Sequence, residues 1–138
     1  MAFRPINFDQ GKVVLLPAKG SISFTKGNAL KDDGAGYITN SASGDNTDVY
    51  FVANQTVTSN ATDGVTLLEC IPVRGVRFEV DTSNTPTQTQ AGLAVDLSAA
   101  GTVDTSAVTD QVFYVENFKL PLSGKIALGY FTQGTPNS

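Results

Sequence analysis

Gly64-Val-Thr-Leu-Leu-Glu-Cys-Ile-Pro-Val73 is the most apolar run of the chain. Under the two-residue alternation of an extended strand, Val65, Leu67, Ile71 and Val73 fall on one face and Leu68 and Cys70 on the other. An apolar load on both faces predicts a strand covered on both sides, the centre of a layered β-fold rather than the skin of one. Arg74-Gly75 then breaks the run, and Val76-Arg-Phe-Glu-Val80 alternates with Arg77 and Glu79 outward.

The same language extends in both directions. Lys12-Val-Val-Leu-Leu-Pro17 reads as a first strand and Gly20-Ser-Ile-Ser-Phe-Thr25 as a second, with Ile22 and Phe24 inward. Ala29–Lys31 and Gly36–Thr39 flank Asp32-Asp33-Gly34, a hairpin turn signal. Asp48-Val-Tyr-Phe-Val-Ala53 is a strong strand, Gln55–Thr58 a short one, and Asn60–Gly64 another turn. Ala91–Leu97, Gln111–Phe118 and Lys125–Phe131 complete the series. The Thr/Asn/Gln/Pro stretch from Asp81 to Gln90 has no apolar anchor and predicts an exposed, mobile loop. No segment carries a 3.6-residue period. The expectation is all-β: a compact small barrel or sandwich of about eight to ten short strands. The N-terminal segment from Ala2 to about Leu16, weakly patterned and basic, is expected to form an extended N-terminal arm. The chain is divided into 1–17, arm and first strand, and 18–138, the β-domain.

Composition limits the chemistry. In 138 residues there is no His and no Trp, with one Cys and one Met. Without His the usual Ser–His and Cys–His nucleophile pairs and His-ligated metals are closed. Asp32/Asp33 and Asp45/Asp48 are carboxylate pairs, but both sit in turns, where Asp is favoured for local backbone hydrogen bonding. Asp45-Asn46-Thr47-Asp48 lacks the glycine and terminal Glu of a calcium loop. Gly34-Ala-Gly36 opens no helix and so makes no phosphate cradle. Cys70 lies within the apolar run and reads as a small buried hydrophobe. Asn54-Gln-Thr56 and Asn60-Ala-Thr62 match the N-glycosylation pattern by chance in an Asn/Thr-rich chain. No catalytic residue, cofactor or metal is assigned, and the chain is read as not an enzyme.

Charge is sparse, with charged residues at 16% and a net −4. Through Lys31 five basic residues face one acid, a local net of +4; beyond it four face twelve, a net of −8. Such halves can attract one another between neighbouring copies; the alternative is that the lysines are merely solvated turn residues. The acidic remainder repels phosphate, so no nucleic-acid partner is expected. No run approaches the ~18 apolar residues of a membrane-spanning helix, and no secretion signal is visible, so synthesis in a cytoplasm is expected.

Gln90-Ala-Gly-Leu-Ala-Val-Asp-Leu97, Val112-Phe-Tyr-Val-Glu-Asn-Phe118 and Gly124-Lys-Ile-Ala-Leu-Gly-Tyr-Phe131, with the earlier Asp48–Ala53 strand, resemble the small head-decoration (capsid cement) proteins of tailed bacteriophages. The resemblance spans residues 20 to 132 and lies in the general character of the chain, with Gly/Ala/Thr/Val-rich strands, few charges and neither His nor Trp. It implies a β-barrel or sandwich that clusters as trimers or dimers on the capsid exterior, with terminal arms stapling neighbouring subunits. The expectation is therefore a virion structural protein that binds the outside of an assembled capsid and stabilises it. Its partners would be the major capsid protein and itself, as a homo-oligomer, most simply a trimer. Phe3, Arg4, Ile6, Phe8 and Lys12 of the arm are the expected contact residues. The alternative is a carbohydrate- or receptor-binding β-domain of a fibre, tail or surface adhesin; a hydrolase or lyase on a β scaffold lacks a concentrated polar site.

Overall fold

The computed structural model describes residues 2–45 and 49–134. Among these the chain is all-β, with thirteen strands and four single-turn 3-10 segments. The strands are β1 (Phe3–Pro5), β2 (Val14–Pro17), β3 (Ser23–Phe24), β4 (Ala29–Asp32), β5 (Ile38–Asn40), β6 (Phe51–Ala53) and β7 (Val57–Thr58). They continue as β8 (Leu67–Pro72), β9 (Phe78–Thr82), β10 (Ala94–Ala99), β11 (Thr102–Asp104), β12 (Phe113–Phe118) and β13 (Ile126–Phe131).

Five of these close a barrel. β9 pairs with β13, β13 with β12, β12 with β10, β10 with β11, and β11 returns to β9 in the one parallel pairing of that ring. Alternation turns Phe78, Val80, Phe113, Val115, Ala127 and Phe131 inward. Gly129 is required where β13 crosses β12, since a Cβ there would run into the carbonyl oxygen of Tyr114. β1 lies on the same edge of β9 that β11 occupies further along, with Phe3 opposite Val80 and Arg4 opposite Glu79.

The second sheet runs β2-β8-β6-β4-β5. It rolls toward closure through a parallel bridge between Ala18 and Ile38, where the Lys19 N–H donates to the Ile38 carbonyl at 2.9 Å. Ala18, Phe24, Leu30, Ile38, Ala53, Leu68 and Cys70 fill it, with Val57 of the β3–β7 ribbon packed alongside. The convex side of the same strands faces the first barrel: Ala29, Val52, Ile71 and Val73 belong to the larger core with Phe78, Phe113 and Phe131.

β4, β6 and β8 thus separate two cores and are buried on both faces, as the apolar run at 64–73 predicts. The coverage stops short of the run's beginning, however. Val65 is 60% and Leu67 53% exposed, because the larger core reaches only the Ile71–Val73 end of β8.

The N-terminal arm is the other correction. Residues 3–5 are a strand, not an extended projection, and Phe3 is 1% exposed. Its ring lies 4.6 Å from Phe131, 5.5 Å from Phe113 and 6.2 Å from Phe78, centroid to centroid. The Phe3 N–H donates to the Gly27 carbonyl, and Gly27 (φ +95°) admits Ala2 where a Cβ would collide with it. Residues 14–17 join the second sheet, where β2 pairs with β8.

The segment from Asp81 to Gln90 is also pinned rather than loose. Pro86 is buried, and Asn84 exchanges two hydrogen bonds with Thr105, giving to its hydroxyl (2.8 Å) and taking from its backbone N–H (3.0 Å). Polar side chains here supply the anchoring that apolar ones do elsewhere.

Candidate contact groove

The chain leaves β1 along the edge of the barrel. The Ile6 N–H donates to the Arg77 carbonyl at 2.8 Å, and the Asn7 side-chain oxygen accepts the Arg77 N–H at 2.8 Å. Phe8 then packs partly against the larger core. Asp9 caps the next turn, its carboxylate accepting the Gly11 N–H at 2.9 Å, and this turn presents Lys12. Facing it is the tight connection from β8 to β9, in which the Val76 N–H donates to the Val73 carbonyl at 3.1 Å and Gly75 adopts φ +75°. Positive φ at the apex is what makes the Arg-Gly pair a turn rather than a continued strand.

The two segments enclose a groove of about 260 Å³ lined by Asn7, Phe8, Asp9, Lys12, Pro72, Arg74, Gly75 and Val76. Val76 is buried, Phe8 and Pro72 half-buried, and Lys12 and Arg74 exposed, so an apolar floor carries two cations at its rim. Neither cation forms an ion pair with any described residue.

Of the five residues expected to make contact, two meet here. Phe8 and Lys12 line the groove, and Ile6, 55% exposed, lies just before it. Phe3 is in the core. Arg4 lies on the outer face of the barrel, where Nε donates to Glu79 Oε1 at 2.8 Å and the other nitrogens to Asp81 at 3.2 and 3.3 Å. Burial disfavours the Arg4 charge, but these carboxylates outweigh it and raise its pKa. Burial likewise works against the Asp81 carboxylate, and Arg4 overturns it, holding its pKa below the ordinary value. Arg74, which in the sequence reads as a strand breaker, also lines this groove. Its signal is an exposed cation at the apex of a turn joining two apolar strands.

Several of the other carboxylates serve the fold. Asp32 Oδ1 accepts the Gly34 N–H at 2.7 Å. Asp33 Oδ1 accepts those of Ala35 and Tyr37, and the Ala35 bond, followed by Tyr37 and Lys19, pulls its pKa down. Asp45 accepts the Ala42 N–H and Lys31 Nζ; Asp48 lies outside the described residues. Asp96, buried mid-strand, holds the Thr109, Asp110 and Gln111 N–H groups together. A lone acid inside Ala-Val-Asp-Leu next to a polar connection is the signal for that role.

Lys19 pairs with Asp33 and Lys31 with Asp45, so part of the basic early segment is neutralised within the same molecule. Burial pushes the Cys70 thiol up to about 12, so it is not an available thiolate. Among the described residues no three His, Cys, Asp or Glu side chains gather as a metal requires, and no helix is long and apolar enough to cross a membrane.

A wider cleft of about 410 Å³ lies beside β9, lined by Asp81, Thr82, Ser83, Thr102, Gly124 and Lys125. Its threonines are engaged internally, Thr82 donating to the Asn84 carbonyl at 2.6 Å and Thr102 sharing a 2.7 Å bond with Ser98. Leu15 on β2 and Leu67 on β8 are also exposed, at 59% and 53%. No family model and no curated protein matches the chain.

Proposed function

We propose that this protein is a virion structural protein that binds the exterior of an assembled phage capsid and reinforces it, with the major capsid protein as partner and a homo-oligomer, most simply a trimer, as its working form. The observation that carries the reading is the shared middle layer: β4, β6 and β8 are buried on both faces between two cores. Such a layer cannot shear or open without exposing both cores, which suits a module that bears load. A module that binds only the assembled shell stabilises that shell by mass action, and many symmetric copies add through avidity. Carboxylates such as Asp32, Asp33 and Asp96 hold turns and backbone N–H groups, Glu79, Asp81 and Glu116 pair with arginines, and the thiol is buried, which suits stabilisation by contact and without chemistry.

The test is to mix the purified protein with empty shells assembled from the major capsid protein of the same phage and to image them by electron cryomicroscopy. Decoration gives ordered density at repeated exterior positions; bare shells at saturating protein overturn the reading.

A second reading, binding of a glycan or receptor, is favoured by the Tyr114 and Tyr130 rings. They stack at 5.1 Å and 32° on the half-exposed outer face of the barrel, and aromatic faces of this kind accept the apolar side of a sugar. A glycan array separates the two readings, since decoration requires no glycan signal.

A further inference from the structure

We infer that the groove between residues 7–12 and the β8–β9 turn is a receptor for an extended acidic segment of the capsid subunit, in which a carboxylate sits next to an aliphatic or aromatic residue. This deepens the decoration reading and rests on it only for which protein supplies the segment.

The chemistry follows from what lines the groove. On a protein whose net charge is −4, Arg4, Lys19, Lys31, Arg77 and Lys119 each have an ion-pair partner, whereas Lys12, Lys26, Arg74 and Lys125 have none among the described residues, and Lys12 and Arg74 line this one groove together. An exposed Arg presents a planar fork that fits a carboxylate with two parallel bonds, and Lys adds a point charge beside it. Between them Phe8, Pro72 and Val76 offer an apolar floor backed by the larger core. Asp9 also lines the groove, but its carboxylate is directed to its own turn through the Gly11 N–H.

The pairing of two cations with an apolar floor selects a mixed ligand. A polyphosphate chain has charge at every step and nothing to cover Phe8 and Val76, and it meets a net-negative protein around the site. An acidic peptide with alternating apolar side chains satisfies both halves. Its approach is also favoured, because the two cations of the groove outnumber its one carboxylate on a protein that is net negative. The walls are well held: Gly75 by its turn, Asn7 by the Arg77 N–H, Lys12 by its cap. A preformed groove of this kind binds without paying for its own ordering.

The test uses amide NMR of the labelled full chain with a blocked peptide of alternating Asp and Leu as probe, and its Asn-for-Asp counterpart as control. The Asp peptide should shift the Gly11, Gly75 and Val76 amides saturably and bind about tenfold or more tightly than the Asn peptide. Lys12→Ala with Arg74→Ala should weaken it by a similar factor, Arg74→Lys should retain most of the affinity, and Lys125→Ala should change nothing. Equal binding of both peptides, shifts elsewhere on the surface, or tighter binding of single-stranded DNA at the same amides would overturn the inference.

Sedimentation with shells then separates the two claims. If wild type and the double variant coat shells equally, decoration stands and the groove inference falls. If neither coats them while the Asp peptide still binds the groove, the ligand chemistry stands and decoration falls.

Discussion

Phe3 and Phe8 belong to one short, weakly patterned stretch, yet they have opposite fates. Phe3 is enclosed by Phe78, Phe113 and Phe131, whereas Phe8 is only partly covered and lines an open groove. The divide falls at Pro5. Up to and including it, three residues pair with β9, and alternation alone sends Phe3 inward and Arg4 outward to Glu79 and Asp81. After it, the Ile6 N–H and the Asn7 side-chain oxygen bond to the Arg77 backbone and hold the chain at the barrel's edge without burying it. An aromatic residue near a terminus is thus no guide to whether it grips a partner or closes its own core. What decides is whether the backbone beside it has an open strand edge to join.

The sharpest break of this contrast is Phe3→Ala. It removes one ring from a four-ring cluster and should cost about 3–5 kcal/mol, read as a loss in the urea midpoint at unchanged slope. A change below about 0.5 kcal/mol would return residues 3–5 to the status of a free arm.

Next in size is a test of the smaller core. Because Cys70 is held neutral there, with its pKa raised to about 12, the stability it contributes is full below the ordinary thiol value of 9.0 and is lost as pH rises through about 12. At pH 8 the thiol should resist iodoacetamide in the folded protein and react readily in urea. Equal rates in both states would show that the second sheet does not seal its core.

A smaller effect is expected at Arg4. Its pair with Asp81 leaves those side chains 37% and 25% exposed, so Arg4→Ala should cost only about 1 kcal/mol at pH 7. The Asp81 pKa is depressed in the folded state, so its contribution is present above the ordinary carboxylate value of 3.8 and fades as pH falls through the lower folded value. The variant should therefore lose less stability on acidification than the wild type does, checked by thermal melts across acid pH. Smallest of all, Ile6→Ser should change stability by less than about 0.5 kcal/mol, since that side chain faces water.

Much of the fold was legible because the longer strands advertise themselves. The run at 64–73 announced a doubly covered strand, and Asp32-Asp33-Gly34 announced the β4–β5 hairpin that the structure contains. Three elements were not legible, each for a physical reason. β1 is three residues long, too short for alternation to stand out, and its partner β9 is distant in sequence. β11 is equally short, and its pairing with β9 is parallel. The segment at 81–90 is anchored by Asn84, Thr105 and Gln90 through hydrogen bonds, which leave no hydrophobic pattern. The groove was half legible. Phe8 and Lys12 stood out as apolar and basic residues in an odd segment, but Arg74 reaches them only through a turn whose direction the sequence does not encode.

The central claim, reinforcement of a shell by contact, is tested most directly by calorimetry of empty shells with and without saturating protein. Reinforcement predicts a rupture transition that moves to higher temperature with the wild-type chain and returns most of the way to the bare-shell value with Lys12→Glu plus Arg74→Glu. A rupture temperature that the wild-type protein leaves unmoved at full occupancy would contradict it.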